Sequence, residues 1–253
     1  MEALLKLSNI KYSYHTLQGE IPAIMDISFH VNPGEFLAIV GPSGCGKSTL
    51  LSIIARMLEP EEGTILVHNP DGSLSYPKMG YMLQKDHLLP WRTIWENVTL
   101  GPEISHTLTK EREEKLLLYL EKYGLSVFKD RKPNELSGGM RQRAALVRTL
   151  ALDPKVLLLD EPFSALDYQT RLSVADDIGK ILKEEGKTAI LVTHDLSEAI
   201  SLSDRIVVLS RRPATVSTIM EIHLTKDPDE PLSSRKAKEF PMYFDLLWKE
   251  LNQ

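Results

Sequence analysis

The segment Gly41-Pro42-Ser43-Gly44-Cys45-Gly46-Lys47-Ser48-Thr49 constrains this chain more than any other. It follows an apolar run, Phe36 to Val40, and leads into a helical pattern from Thr49 to Leu58. Strand, glycine-rich turn and helix in that order form the context of G-x-x-x-x-G-K-[ST], a phosphate-binding loop. Residues without a Cβ let backbone N–H groups approach phosphate oxygens closely. The helix start adds unpaired donors and a partial positive charge. In such a loop Lys47 supplies a point charge for β- and γ-phosphates, and Ser48 a hydroxyl for Mg²⁺.

The remaining composition narrows the class. The chain has 253 residues, 42% of them hydrophobic and 26% charged, the balance of a globular protein. Its formal net charge of −5 argues against a protein whose main work is coating nucleic acid. A single cysteine, Cys45, rules out an internal disulfide and suits a reducing compartment. It occupies a variable slot of the phosphate loop, where a small side chain fits better than a catalytic thiol is needed. No apolar run approaches the ~18 residues that would span a bilayer. The start, Met1 to Lys6, lacks a basic segment followed by an apolar core, so no signal peptide is expected.

Residues 3 to 31 alternate apolar and polar positions (Leu5, Leu7, Ile10, then Ile27, Phe29, Val31), which predicts half-buried antiparallel strands. Tyr12 and Tyr14 fall in this β layer; either ring packs in the sheet or stacks on a nucleobase. Asn32-Pro33-Gly34 turns the chain into the phosphate-loop strand, Gly63 to Val67 reads as a strand, Asp71-Gly72 as a turn, and Met79 to Leu83 as a strand ending at Gln84. Leu88-Leu89-Pro90-Trp91, followed by Thr93 to Val98, is an apolar cluster that serves either as a docking surface or as buried packing.

Thr109 caps a predicted helix with Glu111, Glu113 and Glu114 in its first turns and Leu116, Leu117, Leu120 and Tyr123 as its apolar stripe, ended by Gly124. Ser137-Gly138-Gly139 opens a helix from Met140 to Leu152; taken alone it reads as a plain helix cap, with a second helix-start anion site the alternative. Val156 to Asp160 is a continuous apolar run typical of a buried parallel strand, with Asp160 and Glu161 at its carboxyl end. There Asp160 suits a contact to Mg²⁺ or its water shell, and Glu161 the deprotonation of an attacking water. Ser164 to Asp167 turns into a helix from Tyr168 to Glu185, closed by Gly186. Thr188 to Thr193 is another buried strand with His194 at its end, Asp204 to Leu209 a further one, and the aromatic residues Phe240, Phe244 and Trp248 mark a C-terminal helix.

The ordered set of phosphate loop, Gln84, Leu136 to Arg143, Val156 to Pro162, Ser164 to Asp167 and His194 resembles the ATP-binding cassette (ABC) ATPases over nearly the whole chain. The resemblance implies a P-loop NTPase of α/β class with an N-terminal antiparallel β layer. One domain would span 1–253: an α/β core (1–85 and 153–224), an inserted helical lobe (86–152) and a helical tail (225–253). It implies ATP and Mg²⁺ as cofactors and a head-to-tail dimer, a homodimer since both half-sites are present. Tyr14 would stack on adenine, with Tyr12 the fallback, and Gly41 to Thr49 would hold the phosphates. Ser48, Gln84 and Asp160 would serve Mg²⁺, Glu161 would be the general base, and Lys47, Gln84 and His194 would complete the catalytic set. Ser137, Gly138, Gly139 and Gln142 would reach the partner copy's nucleotide, and Asp167 would organise the dimer seam. Met140 departs from the Gln that many members carry.

Leu83 to Trp91, Glu96-Asn97-Val98 and Arg211-Arg212-Pro213 are similar to the nitrate, sulfonate and taurine importer branch. That similarity implies an ATPase on the cytoplasmic face of a membrane, a permease docked near Leu88 to Trp91, and an external solute-binding protein acting indirectly. A soluble cassette ATPase working on nucleic acid or ribosomes is the competing reading; the acidic charge and the single cassette weigh against it.

Overall fold

The computed structural model describes residues 3–68, 76–225 and 232–252. The turn expected at Asp71-Gly72 lies outside them, as does the polar beginning of the tail at Pro228. In chain order the elements are β1 (Leu5–Thr16), β2 (Gly19–Val31), β3 (Phe36–Val40), α1 (Lys47–Ile54), β4 (Glu62–Val67), β5 (Met79–Met82), α2 (Ile94–Ile104), α3 (Lys110–Lys122), α4 (Gly138–Leu150), β6 (Val156–Asp160), α5 (Tyr168–Glu184), β7 (Thr188–Val192), α6 (Leu196–Leu202), β8 (Arg205–Leu209), β9 (Ala214–Glu221), α7 (Ser233–Lys236) and α8 (Phe240–Leu251). They form two compact units, residues 1–77 with 175–253, and residues 78–174.

The first unit carries strands in the order β4-β1-β2-β9-β8-β3-β7. β1 pairs antiparallel with β2 and with β4, the half-buried layer that the alternation of Leu5, Leu7, Phe29 and Val31 predicts. β3 lies between β7 and β8, parallel to both. All five residues of β3 and of β7 are buried, as strands covered on both faces must be. β9, which the sequence does not announce, runs parallel to β2 and antiparallel to β8, and so joins the antiparallel layer to the parallel strands. Ala38, Val40, Ile200, Ile206 and Val208 form a core that α8 closes with Tyr243 and Leu247. The C-terminal helix therefore packs on its own domain.

A buried ion pair pins the entry to β3. Arg205 Nε lies 2.8 Å from Glu35, with side chains 12% and 6% exposed. Glu35 also accepts the Asn32 N–H at 2.6 Å, and Arg205 donates to the His30 carbonyl at 2.6 Å. Removing one partner strands the other charge in a dry site. Arg205→Leu is expected to cost about 3–5 kcal/mol in denaturant unfolding, and Glu35→Leu/Arg205→Leu to recover much of that loss. Equal stability of Arg205→Leu and the parent would show that the pair is not desolvated.

The second unit pairs β5 parallel with β6 and adds α2, α3 and α4. Thr93 caps α2 through the Glu96 N–H while Glu96 returns to the Thr93 N–H, a reciprocal capping box. Thr109 caps α3 as expected, but its buried side is Leu116, Tyr119, Leu120 and Tyr123. Leu117 is 42% exposed, because a 3.6-residue period from Leu116 selects positions 119, 120 and 123 and turns 117 away. α1 and α4 each start about two residues before their expected positions. Gly46, at φ 117°, makes the left-handed entry to α1, and the Ser137 hydroxyl accepts the Met140 N–H to cap α4. α1 also stops at Ile54 instead of Leu58, where Arg56 adopts a positive φ of 57°. Among the described residues, no helix is long and apolar enough to cross a membrane.

Candidate nucleotide site

The first unit carries the phosphate loop at the carboxyl end of β3, with α1 starting directly after Gly46. This is where an open α/β sheet presents ligands to a helix N-terminus. Lys47 is 6% exposed, and its ammonium donates to the carbonyls of Gly41 (2.8 Å) and Pro42 (3.0 Å). It is thus held at the loop by its own backbone. Ser43, Gly44 and Ser48 are exposed, while Thr49 is buried. Cys45 is buried, and burial pushes its thiol pKa up, against a nucleophilic role. It fills space behind the loop.

Tyr14 is the aromatic that touches this loop. Its hydroxyl lies 2.8 Å from Thr49 Oγ1, and Tyr12 packs edge-on against its ring at 5.1 Å. The Arg212 guanidinium stands 5.9 Å from the ring centroid and is tied to the Pro22 carbonyl at 2.9 Å. With 39% of its surface exposed, Tyr14 keeps area for a flat ligand. His194 is exposed at the end of β7, where Asp195 caps α6 through the Ser197 and Glu198 N–H groups.

The second unit brings Gln84, Asp160, Glu161 and Ser164 together at the end of the β5–β6 pair. Gln84 Nε2 donates to the Glu161 carboxylate at 3.3 Å and to Ser164 Oγ at 3.2 Å. Tyr81 donates to Asp160, itself 8% exposed, at 3.3 Å. Glu161 sits at φ 45°, a left-handed conformation rare for a residue with a long side chain. Such strain costs roughly 1–3 kcal/mol and gathers where a side chain must be aimed. Sequence offers no signal for it.

Ser137 is exposed and Gly138 half-buried, but Gly139 is buried with a Cβ position only 2.6 Å from Thr170 Cγ2, so no larger residue fits without a shift. Gln142 does not join the exposed turn. It is 3% exposed, and its amide donates to the carbonyls of Pro162 and Gln84 of its own chain. The expectation that it reaches outward with Ser137 is corrected accordingly: one turn further along α4, position 142 faces inward. Asp167 is exposed and accepts the Thr170 N–H at 3.1 Å; hydrogen bonding by Thr170 holds its carboxyl below the usual range.

The 88–93 loop divides its apolar residues between two faces. Leu88 is 7% exposed and belongs to the core, whereas Trp91 is 69% exposed. Asn97, fully buried, accepts the Leu89 N–H at 2.7 Å and donates to the carbonyls of Leu89 (3.1 Å), Arg92 (3.3 Å) and Thr93 (2.9 Å). One carboxamide therefore fixes the whole loop, a role that its place in the sequence does not announce.

Comparison with known proteins agrees with this layout. The family described as ABC transporter matches residues 24–164. An ABC transporter ATP-binding protein of Bacillus subtilis, YtlC, is 46% identical over 99% of this chain and 96% of its own length. The nitrate transport protein NasD of Klebsiella oxytoca is 38% identical over 89% of this chain and 88% of its own. The dimeric post-hydrolysis structure of the ATP-binding cassette MJ0796, bound to ADP and Pi, superimposes with a TM-score of 0.72 at 33% identity, covering 87% of this chain and 99% of that one. With a phosphate loop at the end of a parallel strand and this breadth of similarity, the chain belongs to the ABC transporter family, as one of its ATP-binding, ATP-hydrolysing subunits.

Proposed function

We propose that this chain is the motor subunit of an importer, working as a homodimer at the cytoplasmic face of a membrane beside a separate permease. The observation that carries the reading is the contact between Gln84 and Glu161 at 3.3 Å, made at the start of the same segment that displays Trp91. Chemistry and a docking surface thus lie on one stretch of chain. The similarity to NasD, a nitrate transport protein, supports a small solute of that kind; sulfonate or taurine as the solute, and its delivery by an external binding protein, belong to the same proposal.

In this reading Tyr14 stacks on adenine, residues 41–49 hold the phosphates, and Ser137, Gly138 and Gly139 close over the γ-phosphate of the partner copy's nucleotide. The residues present fit Mg²⁺. Each unit offers donors suited to the ion: in the first, Ser48 has an exposed hydroxyl at the start of α1; in the second, Asp160 has a carboxylate at the end of β6 and Gln84 a side-chain amide. Mg²⁺ takes few protein ligands and completes its shell with phosphates and water. When bound, the ion neutralises charge on the β- and γ-phosphates. Glu161 takes the proton of the attacking water, and His194 holds the γ-phosphate or that water. Asp167, an acceptor at the start of α5, organises the seam between copies. ATP favours the closed pair through contacts that the open state lacks, and hydrolysis removes them.

Affinity purification from detergent-solubilised membranes tests the assignment. A polytopic membrane protein should co-purify with the parent chain, and Trp91→Ala should weaken that association about tenfold or more while nucleotide affinity is unchanged. Co-purification of nucleic acid or ribosomes instead would overturn the importer reading. An unaltered complex with Trp91→Ala would remove Trp91 from the docking surface.

A further inference from the structure

The segment after Gln84 is gripped by two arginines of α4 that the reading above does not use. Arg141 Nε pairs with the Asp86 carboxylate at 2.9 Å, and its Nη1 donates to the Leu136 carbonyl at 2.8 Å. One guanidinium therefore touches the residue two places after Gln84 and the residue just before Ser137. One helical stretch further on, Arg148 donates to the carbonyls of Asp86 and His87, both at 2.7 Å. The His87 backbone is held at φ 46°, and the second Asp86 oxygen accepts the Leu88 N–H at 3.1 Å. The fixed fork of a guanidinium suits such bridging, since its donors diverge in one rigid plane where an ammonium offers a single point.

We infer that Arg141 and Arg148 are positioning residues that make the Gln84 segment and the Ser137–Gly139 turn move as one piece. The inference rests on the roles proposed above for Gln84 and Ser137. The Asp86–Arg141 pair is itself 28% and 36% exposed, so its contribution to fold stability is small. Its value lies in geometry. A displacement of Gln84 when nucleotide and the attacking water enter the site shifts Asp86, and through Arg141 it shifts the carbonyl that leads into Ser137. Arg148, half-buried and with its pKa lowered by that burial, holds the backbone carbonyls of residues 86 and 87 so that the shift is not absorbed locally.

Steady-state ATP hydrolysis by the full chain tests this, with nucleotide affinity measured separately. Arg141→Gln and Asp86→Asn should each lower kcat about tenfold while leaving nucleotide affinity within twofold, because misplacement by a fraction of an ångström acts on the reacting geometry. Arg141→Lys, which keeps the charge toward Asp86, should restore part of the loss. The Asp86→Asn/Arg141→Gln double variant should be no slower than the slower single one, as expected of a shared contact. An unchanged kcat in Arg141→Gln, single losses that multiply in the double variant, or a parallel loss of affinity and thermal stability would each overturn the inference. Ser137→Arg serves as the reference. If it hydrolyses ATP normally, the role given to the Ser137 turn has failed; if it is inactive while Arg141→Gln is not, only the positioning role has.

Discussion

Glu161→Gln should bind ATP with unchanged affinity, lose about 10²–10⁴-fold in turnover, and accumulate as a dimer when ATP is saturating. The amide is isosteric and still meets Gln84, so the site keeps its shape; what disappears is the capacity to take a proton. If ATP holds two copies together and its cleavage releases them, a protein that cannot cleave must stay paired. Size-exclusion chromatography with and without ATP, alongside phosphate release, measures both halves of the expectation. A variant that turns over normally would remove Glu161 as the base. One that stays monomeric under saturating ATP would remove the enclosed dimer, and with it the proposed source of mechanical work. The left-handed backbone at Glu161 adds a structural reason to expect a large effect, since strain of this kind persists only where the surrounding fold imposes it.

Lys47→Ala should weaken nucleotide binding about tenfold to a hundredfold, the worth of one charge-assisted contact of roughly 1.5–3 kcal/mol. The ammonium already sits among the carbonyls of Gly41 and Pro42, so little side-chain freedom is lost when it turns to a phosphate. Removing it takes away a buried cation without opening the core, and thermal unfolding should move far less than binding does. Titration with a fluorescent ATP analogue reads the affinity. Equal affinity in the variant would mean that backbone N–H groups alone carry phosphate recognition.

The parts of the fold that could be read from sequence are those written in local pattern. Unbroken apolar runs marked the buried strands at 36–40, 156–160 and 188–192, and period-two alternation marked β1 and β2. Caps were readable where one hydroxyl decides the matter, as at Thr109. The Thr93 and Glu96 spacing holds the same kind of information for α2. What escaped was non-local. Arg141 and Arg148 meet Asp86 and His87 across 55 to 62 residues of chain, and no spacing rule connects them. The inward turn of Gln142 and the strained φ of Glu161 likewise depend on the tertiary frame. β9 escaped because its register is set by β2 and β8 rather than by its own modest alternation.

The fourfold backbone grip of Asn97 on the 88–93 loop has a mechanical meaning. A push rod works only if it does not buckle. For the partner proposed above, a loop ordered in advance costs less to immobilise on docking, and the contacts to residues 89, 92 and 93 limit the slack on either side of Trp91. On the docking proposed above, a displacement at the Trp91 indole would be passed to α2 through the Asn97 contacts on either side of it.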